Sequence, residues 1–224
     1  MARKGDRSRK SGLSRKQKME VKKIAENVLD EEIEDKRSVV IKENGQIYHN
    51  KPFYVTGLMK NVQQGDMTGD DGSTKTIRIG DQISLKNINV RLWLSNKLDR
   101  PNCMYKGVLF WYPVDSSVGD SLVYLTQTNK ILDRYNFKAI TVIDQFILKS
   151  REMYDNGTEK WEHSYLTSFN KRYKNKKIQY QTNSTTPKGH DLGFAIVAYD
   201  AYGTQQTDNI ASFAYSCQLT FQDA

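Results

Sequence analysis

The sequence predicts an all-β chain, a double-sheet sandwich preceded by a basic arm that carries one amphipathic helix. Three observations carry this. From Lys36 onward helical periodicity gives way to short β-type runs separated by polar turns. The chain holds 13 Tyr, 8 Phe and 3 Trp, residue types that favour strands. The charge is also divided: residues 1–23 hold ten Lys or Arg against two acids, a net +8 that equals the net charge of the whole chain. Residues 24–224 therefore sum to zero. A basic tail on a neutral body is the pattern of a chain that meets a polyanion through the tail while the body does something else. The candidate nucleic-acid-binding residues are Arg3, Lys4, Arg7, Arg9, Lys10, Arg15, Lys16, Lys18, Lys22 and Lys23.

The arm comes first, over residues 1–35. Residues 1–12 are too polar to fold alone. Ser14 and Gln17 fit a capping box. After them Val21, Ile24, Ala25 and Val28 lie at i, i+3, i+4 and i+7, with Leu29 alongside, which predicts one amphipathic helix over about 14–33. Its first half is basic and its second half acidic. A short helix with one narrow apolar stripe needs a partner surface, and self-association between subunits supplies one.

The body is expected over 36–224. Its candidate strands are 36–42, 53–60, 82–95, 104–112, 137–149, 160–168, 177–182, 192–202 and 211–221. The last is the clearest: Phe213, Tyr215, Cys217, Leu219 and Phe221 alternate with Ala214, Ser216, Gln218 and Thr220, a strand with one buried face. In 82–95 the apolar phase slips between Leu85 and Ile88, which predicts a β-bulge near Lys86–Asn87. Eight or nine strands with no βαβ rhythm and loops of uneven length indicate a jelly roll rather than an up-and-down barrel. The segment 115–136 is the expected long excursion, with a short helix.

Several classes are excluded. No apolar stretch approaches the length of a membrane span, and no apolar run follows the basic N-terminus as a secretory signal requires. The sequons at Asn156 and Asn183 therefore carry little weight. Two cysteines make neither a disulfide framework nor a zinc site, and Cys217 reads as a small core residue; an intracellular, reducing compartment is the expectation. His49, His163 and His190 form no metal or catalytic spacing, and no phosphate-binding glycine loop or nucleophile elbow is present. Catalysis is not expected. The acidic loop 65–72 fails the EF-hand pattern and is either a solvated turn or part of a Ca²⁺ site assembled from several segments. The basic cluster 171–177 is either a phosphate-contacting loop with Tyr173 as a stacking group or a solvated turn.

Stretches in a fixed order then carry a resemblance. They are the basic arm with its helix, Glu34-Asp35-Lys36-Arg37, Gln64-Gly65-Asp66, Arg78-Ile79-Gly80-Asp81-Gln82, Val108-Leu109-Phe110-Trp111-Tyr112, Ile147-Leu148-Lys149 and the closing Phe221-Gln222-Asp223-Ala224. Over most of 14–224 the chain resembles the single jelly-roll capsid proteins of small icosahedral viruses, the coat proteins of the satellite tobacco necrosis virus type among them. The resemblance implies an eight-stranded viral jelly roll, sixty copies in a T=1 shell, inward arms and a packaged single-stranded viral genome, RNA in preference to DNA. It implies a virion location, with assembly inside the host cell. It also implies structural Ca²⁺ at subunit interfaces, held by the Asp223 carboxylate, the carbonyls of Ile79 and Gln82, Glu34 of a neighbouring subunit, and Asp66 near the fivefold axis. The loop between Asp66 and Arg78 is longer than in the family and carries Asp70 and Asp71. Two rival readings stay open: a nucleic-acid-binding module whose β-sandwich binds a protein, and a jelly-roll lectin or receptor ligand with a basic tail.

Overall fold

The computed structural model describes residues 13–32, 35–65, 77–100, 102–149, 164–201 and 205–223. Two units form, Met1–Glu34 and Asp35–Ala224. In the first, helix α1 runs over Arg15–Glu32. Its start is the anticipated capping box: Ser14 N–H donates to Gln17 Oε1 (2.9 Å) and Gln17 N–H donates to Ser14 Oγ (3.3 Å). Met19, Val21, Ile24 and Val28 of the apolar stripe are exposed. The first turn holds no acid and the last turn no base. The side-chain charges therefore oppose the helix dipole at both ends.

Among the described residues the second unit contains eight strands and one short helix. They are β1 (Lys36–Tyr48), β2 (Phe53–Val55), β3 (Gln82–Asn96), β4 (Cys103–Pro113), α2 (Asp120–Val123), β5 (Thr141–Leu148), β6 (Ser164–Gln179), β7 (His190–Asp200) and β8 (Asn209–Asp223). They form two four-stranded sheets, β1-β8-β3-β6 and β2-β7-β4-β5. β1 pairs with β8, β2 with β7, β3 with β6 and β4 with β5, all antiparallel. This is an eight-strand ribbon folded back on itself. Further pairing of β8 with β3 and of β7 with β4 rolls the ribbon into a sandwich. That nesting is the jelly roll.

Alternation explains which side chains fill the space between the sheets. On β3, Ile88, Val90, Leu92 and Leu94 point inward; on β8, Phe213, Cys217, Leu219 and Phe221 do. They meet Tyr105, Leu109, Phe194 and Ile196 from the other sheet. The bulge falls where the apolar phase slips, between Leu85 and Asn87, and restores inward packing on both sides of it.

The structure corrects three boundaries. Candidates 160–168 and 177–182 are parts of one strand, β6, so nine candidates become eight strands. Candidate 53–60 is a three-residue strand followed by a 3₁₀ turn over Leu58–Asn61, entered through Gly57 at φ 74°, a conformation other residues adopt only with strain. Candidate 137–149 enters the sheet only at Thr141.

A second, smaller core lies outside the sandwich. Val108, Phe110, Tyr112 and Ala195 on the outer face of the β2-β7-β4-β5 sheet pack against Val123, Tyr124, Tyr135 and Ile140 of the 114–140 excursion. Lys106 holds this roof down. Its buried ammonium donates to the carbonyls of Lys130 (3.0 Å), Ile131 (3.3 Å) and Asp133 (2.5 Å) and lies over the Tyr135 ring. Burial pushes its pKa below the ordinary lysine value, against the attraction of Asp133. Asn50 adds a clamp, donating to Thr128 O and accepting from Lys130 N–H.

Candidate nucleic-acid and metal sites

Of the ten basic residues assigned to nucleic-acid binding, Arg15, Lys16, Lys18, Lys22 and Lys23 lie on α1 and are exposed. Arg3, Lys4, Arg7, Arg9 and Lys10 lie outside the described residues. The five on the helix crowd its N-terminal half, where the dipole already presents positive charge. A polyanion relieves both at once, since phosphate oxygens pair with the side chains and favour the same helix end.

The candidate Ca²⁺ ligands divide. Glu34 and Asp66 lie outside the described residues. Asp223 and Ile79 are brought together, as the resemblance implied, but by a different bond: Ile79 presents its N–H, 3.1 Å from Asp223 Oδ1, and not its carbonyl. The other carboxylate oxygen, Oδ2, accepts from Lys36 Nζ at 2.5 Å. Lys36 Nζ also donates to the carbonyl of Ile77 (3.0 Å). Gln82 opens β3, where it pairs with Gln179; its neighbour Ile83 faces Asp223. Ca²⁺ takes six to eight oxygen ligands, commonly more than one of them a carboxylate. Among the described residues no group of three or more His, Cys, Asp or Glu could hold a metal ion. Within this chain Asp223 is paired with the Lys36 ammonium. Lys36 was missed from the sequence, although a lysine at an inward position of a strand, opposite the inward Phe221, was a signal for it.

Beside this pair, Arg78 is fully buried. Its guanidinium stacks on the Tyr180 ring at 4.1 Å and donates to the carbonyls of Gly80 and Ser184. It joins the segment before β3 to the one after β6. This is a structural clamp and not a phosphate site, because nothing of the charged group is left at the surface.

The 171–177 cluster is neither a loop nor a turn. It lies in β6, the edge strand of its sheet. Tyr173 is not a stacking platform: it turns inward, accepts from Trp111 Nε1–H (3.2 Å), and its phenol is pushed above its ordinary pKa by burial. Lys176 lies over the Trp111 ring at 4.7 Å. A groove of about 340 Å³ opens there, lined by Trp111, Thr141, Lys176, Lys177, Lys188 and His190. The lysines along β6 serve first to protect an edge against pairing with another strand.

The remaining titratable candidates are structural. Cys103 and Cys217 are buried, and burial pushes both thiols up to about 12. His49 is buried, accepts from Asp200 N–H through Nδ1 and packs on Tyr199. His190 is exposed at the start of β7, and His163 lies outside the described residues.

The chain is similar to several solved virus structures at low identity. With infectious bursal disease virus, Gx strain, identity is 12% and the TM-score 0.36, covering 84% of this chain and 32% of that one. With the empty head of turnip yellow mosaic virus the values are 14% and 0.35, covering 85% and 82%. With desmodium yellow mottle tymovirus they are 10% and 0.33, covering 85% and 88%. The chain thus spans about a third of the infectious bursal disease virus chain. No family model matches it, and no curated protein does.

Proposed function

We propose that this chain is a structural capsid protein that self-assembles into a T=1 shell of sixty copies and packages a single-stranded genome, RNA in preference to DNA, through its basic arm. The observation that carries this is the division of labour in one chain: residues 1–23 hold a net +8, an acidic stretch over residues 26–35 follows, and a jelly roll comes after it. The arm helix supports it, with exposed apolar residues along one stripe and charges set against its dipole. Both defects are relieved when copies cluster around a polyanion. Sixty arms would bring about 480 positive charges to a genome, in binding that is sequence-independent and weakens with salt. The resemblance to the satellite tobacco necrosis virus coat protein favours the same reading. Within it structural Ca²⁺ at subunit interfaces, with Asp223 among its ligands, would compete with the Lys36 ammonium for that carboxylate. The chain carries no catalytic role in this reading; it acts in the virion and, during assembly, inside the host cell.

Light scattering and electron microscopy of the full chain with single-stranded RNA test it. Closed particles of uniform size are expected, with nuclease-protected RNA inside. A species no larger than a trimer with RNA bound would establish instead a nucleic-acid-binding module whose sandwich serves another partner. Deleting residues 1–23 is expected to abolish packaging while the β-body still folds; unchanged encapsidated RNA in that deletion overturns the arm's role.

A further inference from the structure

The outer face of the β1-β8-β3-β6 sheet has no roof among the described residues. Alternation places Arg91 and Trp93 of β3, Leu166, Asn170 and Arg172 of β6, and Arg37 of β1 on it, opposite in direction to the core-facing Val90, Leu92 and Phe169. Register arranges them. Arg37, Thr220, Asn87 and Arg172 form one row across all four strands. Asn89 lies between Gln218 and Asn170 in the next, Arg91 between Ser216 and Ser168 in the third, and Trp93 between Ala214 and Leu166 in the fourth. Lys177 stands beyond the bulge, opposite Ser84.

Three features set this surface apart. Its cations are exposed, and Arg37, Arg91 and Arg172 make no ion pair among the described residues. No Asp or Glu stands at an outward position of β8, β3 or β6. Trp93 is 44% exposed in the middle of a sheet, two residues along the strand from Arg91. An exposed aromatic ring flanked by arginines and side-chain amides has one matching partner chemistry, a single strand with unpaired bases: the ring stacks on a base, the arginines take phosphates, and amides and hydroxyls bond to base edges and sugars. A duplex keeps its bases stacked on one another and offers the ring nothing. An acidic protein surface would pair with the arginines and leave Trp93 without a role.

We infer that the outer face of the β1-β8-β3-β6 sheet is a second, single-strand-selective nucleic-acid surface, with Trp93 as the stacking group and Arg37, Arg91 and Arg172 as phosphate contacts. This rests on the reading of the chain as a nucleic-acid-packaging protein. It adds a distinction that the arm does not supply: the arm neutralises any polyanion, and the sheet face favours unpaired bases.

The test uses the full-length chain and two probes, fluorescein-labelled 20-nucleotide oligouridylate and a 20-base-pair duplex, followed by anisotropy over a series of salt concentrations. Trp93→Leu is expected to weaken oligouridylate binding about fivefold or more and to leave duplex binding unchanged; Trp93→Phe, which keeps a ring, restores the affinity. Arg91→Gln with Arg172→Gln is expected to lower the slope of log affinity against log salt by about 1.4, at roughly 0.7 per phosphate contact on a single strand. If Trp93→Leu unfolds the protein, Trp93→Phe and the arginine pair decide. Three results overturn the inference. Unchanged affinity and slope in these variants, with loss on Arg15→Gln, Lys16→Gln and Lys18→Gln together, leaves the packaging role intact and the sheet face idle. Equal loss for single strand and duplex removes the stacking role. Trp93 emission that ignores oligouridylate but shifts when residues 1–32 are deleted makes the occupant this chain's own helix. Failure of the unaltered chain to bind oligouridylate at all overturns the packaging reading together with this one.

Discussion

The two sheets share a strand count and antiparallel pairing, yet their outer faces have opposite fates. Outside β2-β7-β4-β5, Val108, Phe110 and Tyr112 are covered by the 114–140 excursion and by a lysine driven into carbonyls. Outside β1-β8-β3-β6, Arg91, Trp93 and Leu166 meet solvent. The backbone does not determine which face is roofed. The outward residues differ: the roofed face is a continuous apolar row, whose exposed area would be costly in water, whereas the bare face mixes Arg, Asn and Ser with the exposed Val39, Ile41, Trp93 and Leu166.

Five measurements break or sharpen this contrast. Phe110→Ala, in the roofed face, is expected to cost about 3–5 kcal/mol in denaturant unfolding, as a large core truncation does; a cost below 1 kcal/mol would mean the excursion is not packed on the sheet. Lys106→Met is expected to cost about 3 kcal/mol, because three buried carbonyls lose a charged donor. Lys36→Met, on a partly exposed pair, is expected to cost about 1–2 kcal/mol, less than a fully buried pair would. That loss should be the same in Ca²⁺ and in EDTA, and rescue by Ca²⁺ would show that a metal completes Asp223 after all.

The fourth is a pH dependence. Burial holds the His49 pKa below its ordinary value, against the pull of Asp200 and Asp208. The unfolded chain therefore takes up a proton near pH 6.5 that the folded chain still resists. Stability is full above that pH and falls as the pH drops below it, by at most about 1.4 kcal/mol per pH unit. His49→Gln should flatten that part of the profile. The smallest effect is expected at the bare face: Leu166→Ser should change stability by no more than about 0.5 kcal/mol, since Leu166 is 80% exposed.

Much of the fold was legible in the sequence. Residues 104–112 and 192–202 stood out as β-type runs, and 211–221 as a strictly alternating strand with one buried face. The slip after Leu85 located the bulge, and Ser14 with Gln17 located the helix start. What was not legible came from long-range contacts. Tyr173 read as exposed because its neighbours are charged; only the approach of Trp111 turns it inward. The roles of Lys36 and Lys106 were not singled out from the sequence, and they depend on Asp223 and the 130–133 carbonyls, 187 and 24–27 residues away. The two halves of β6 read as separate strands because a polar, lysine-rich middle carries no apolar period; its edge position asks for none.

The nested pairing also orders events in time. β1 leaves the ribosome early, but its partner β8 sits between β1 and β3 and includes Asp223. Until that residue has been synthesised the β1-β8-β3-β6 sheet lacks its middle strand, and the contacts that close it span nearly the whole body, a topology that folds slowly. The basic arm precedes all of this. Under the proposed packaging role, the basic arm of each chain is made before its body can form, so encounter with nucleic acid would begin before there is a subunit to assemble.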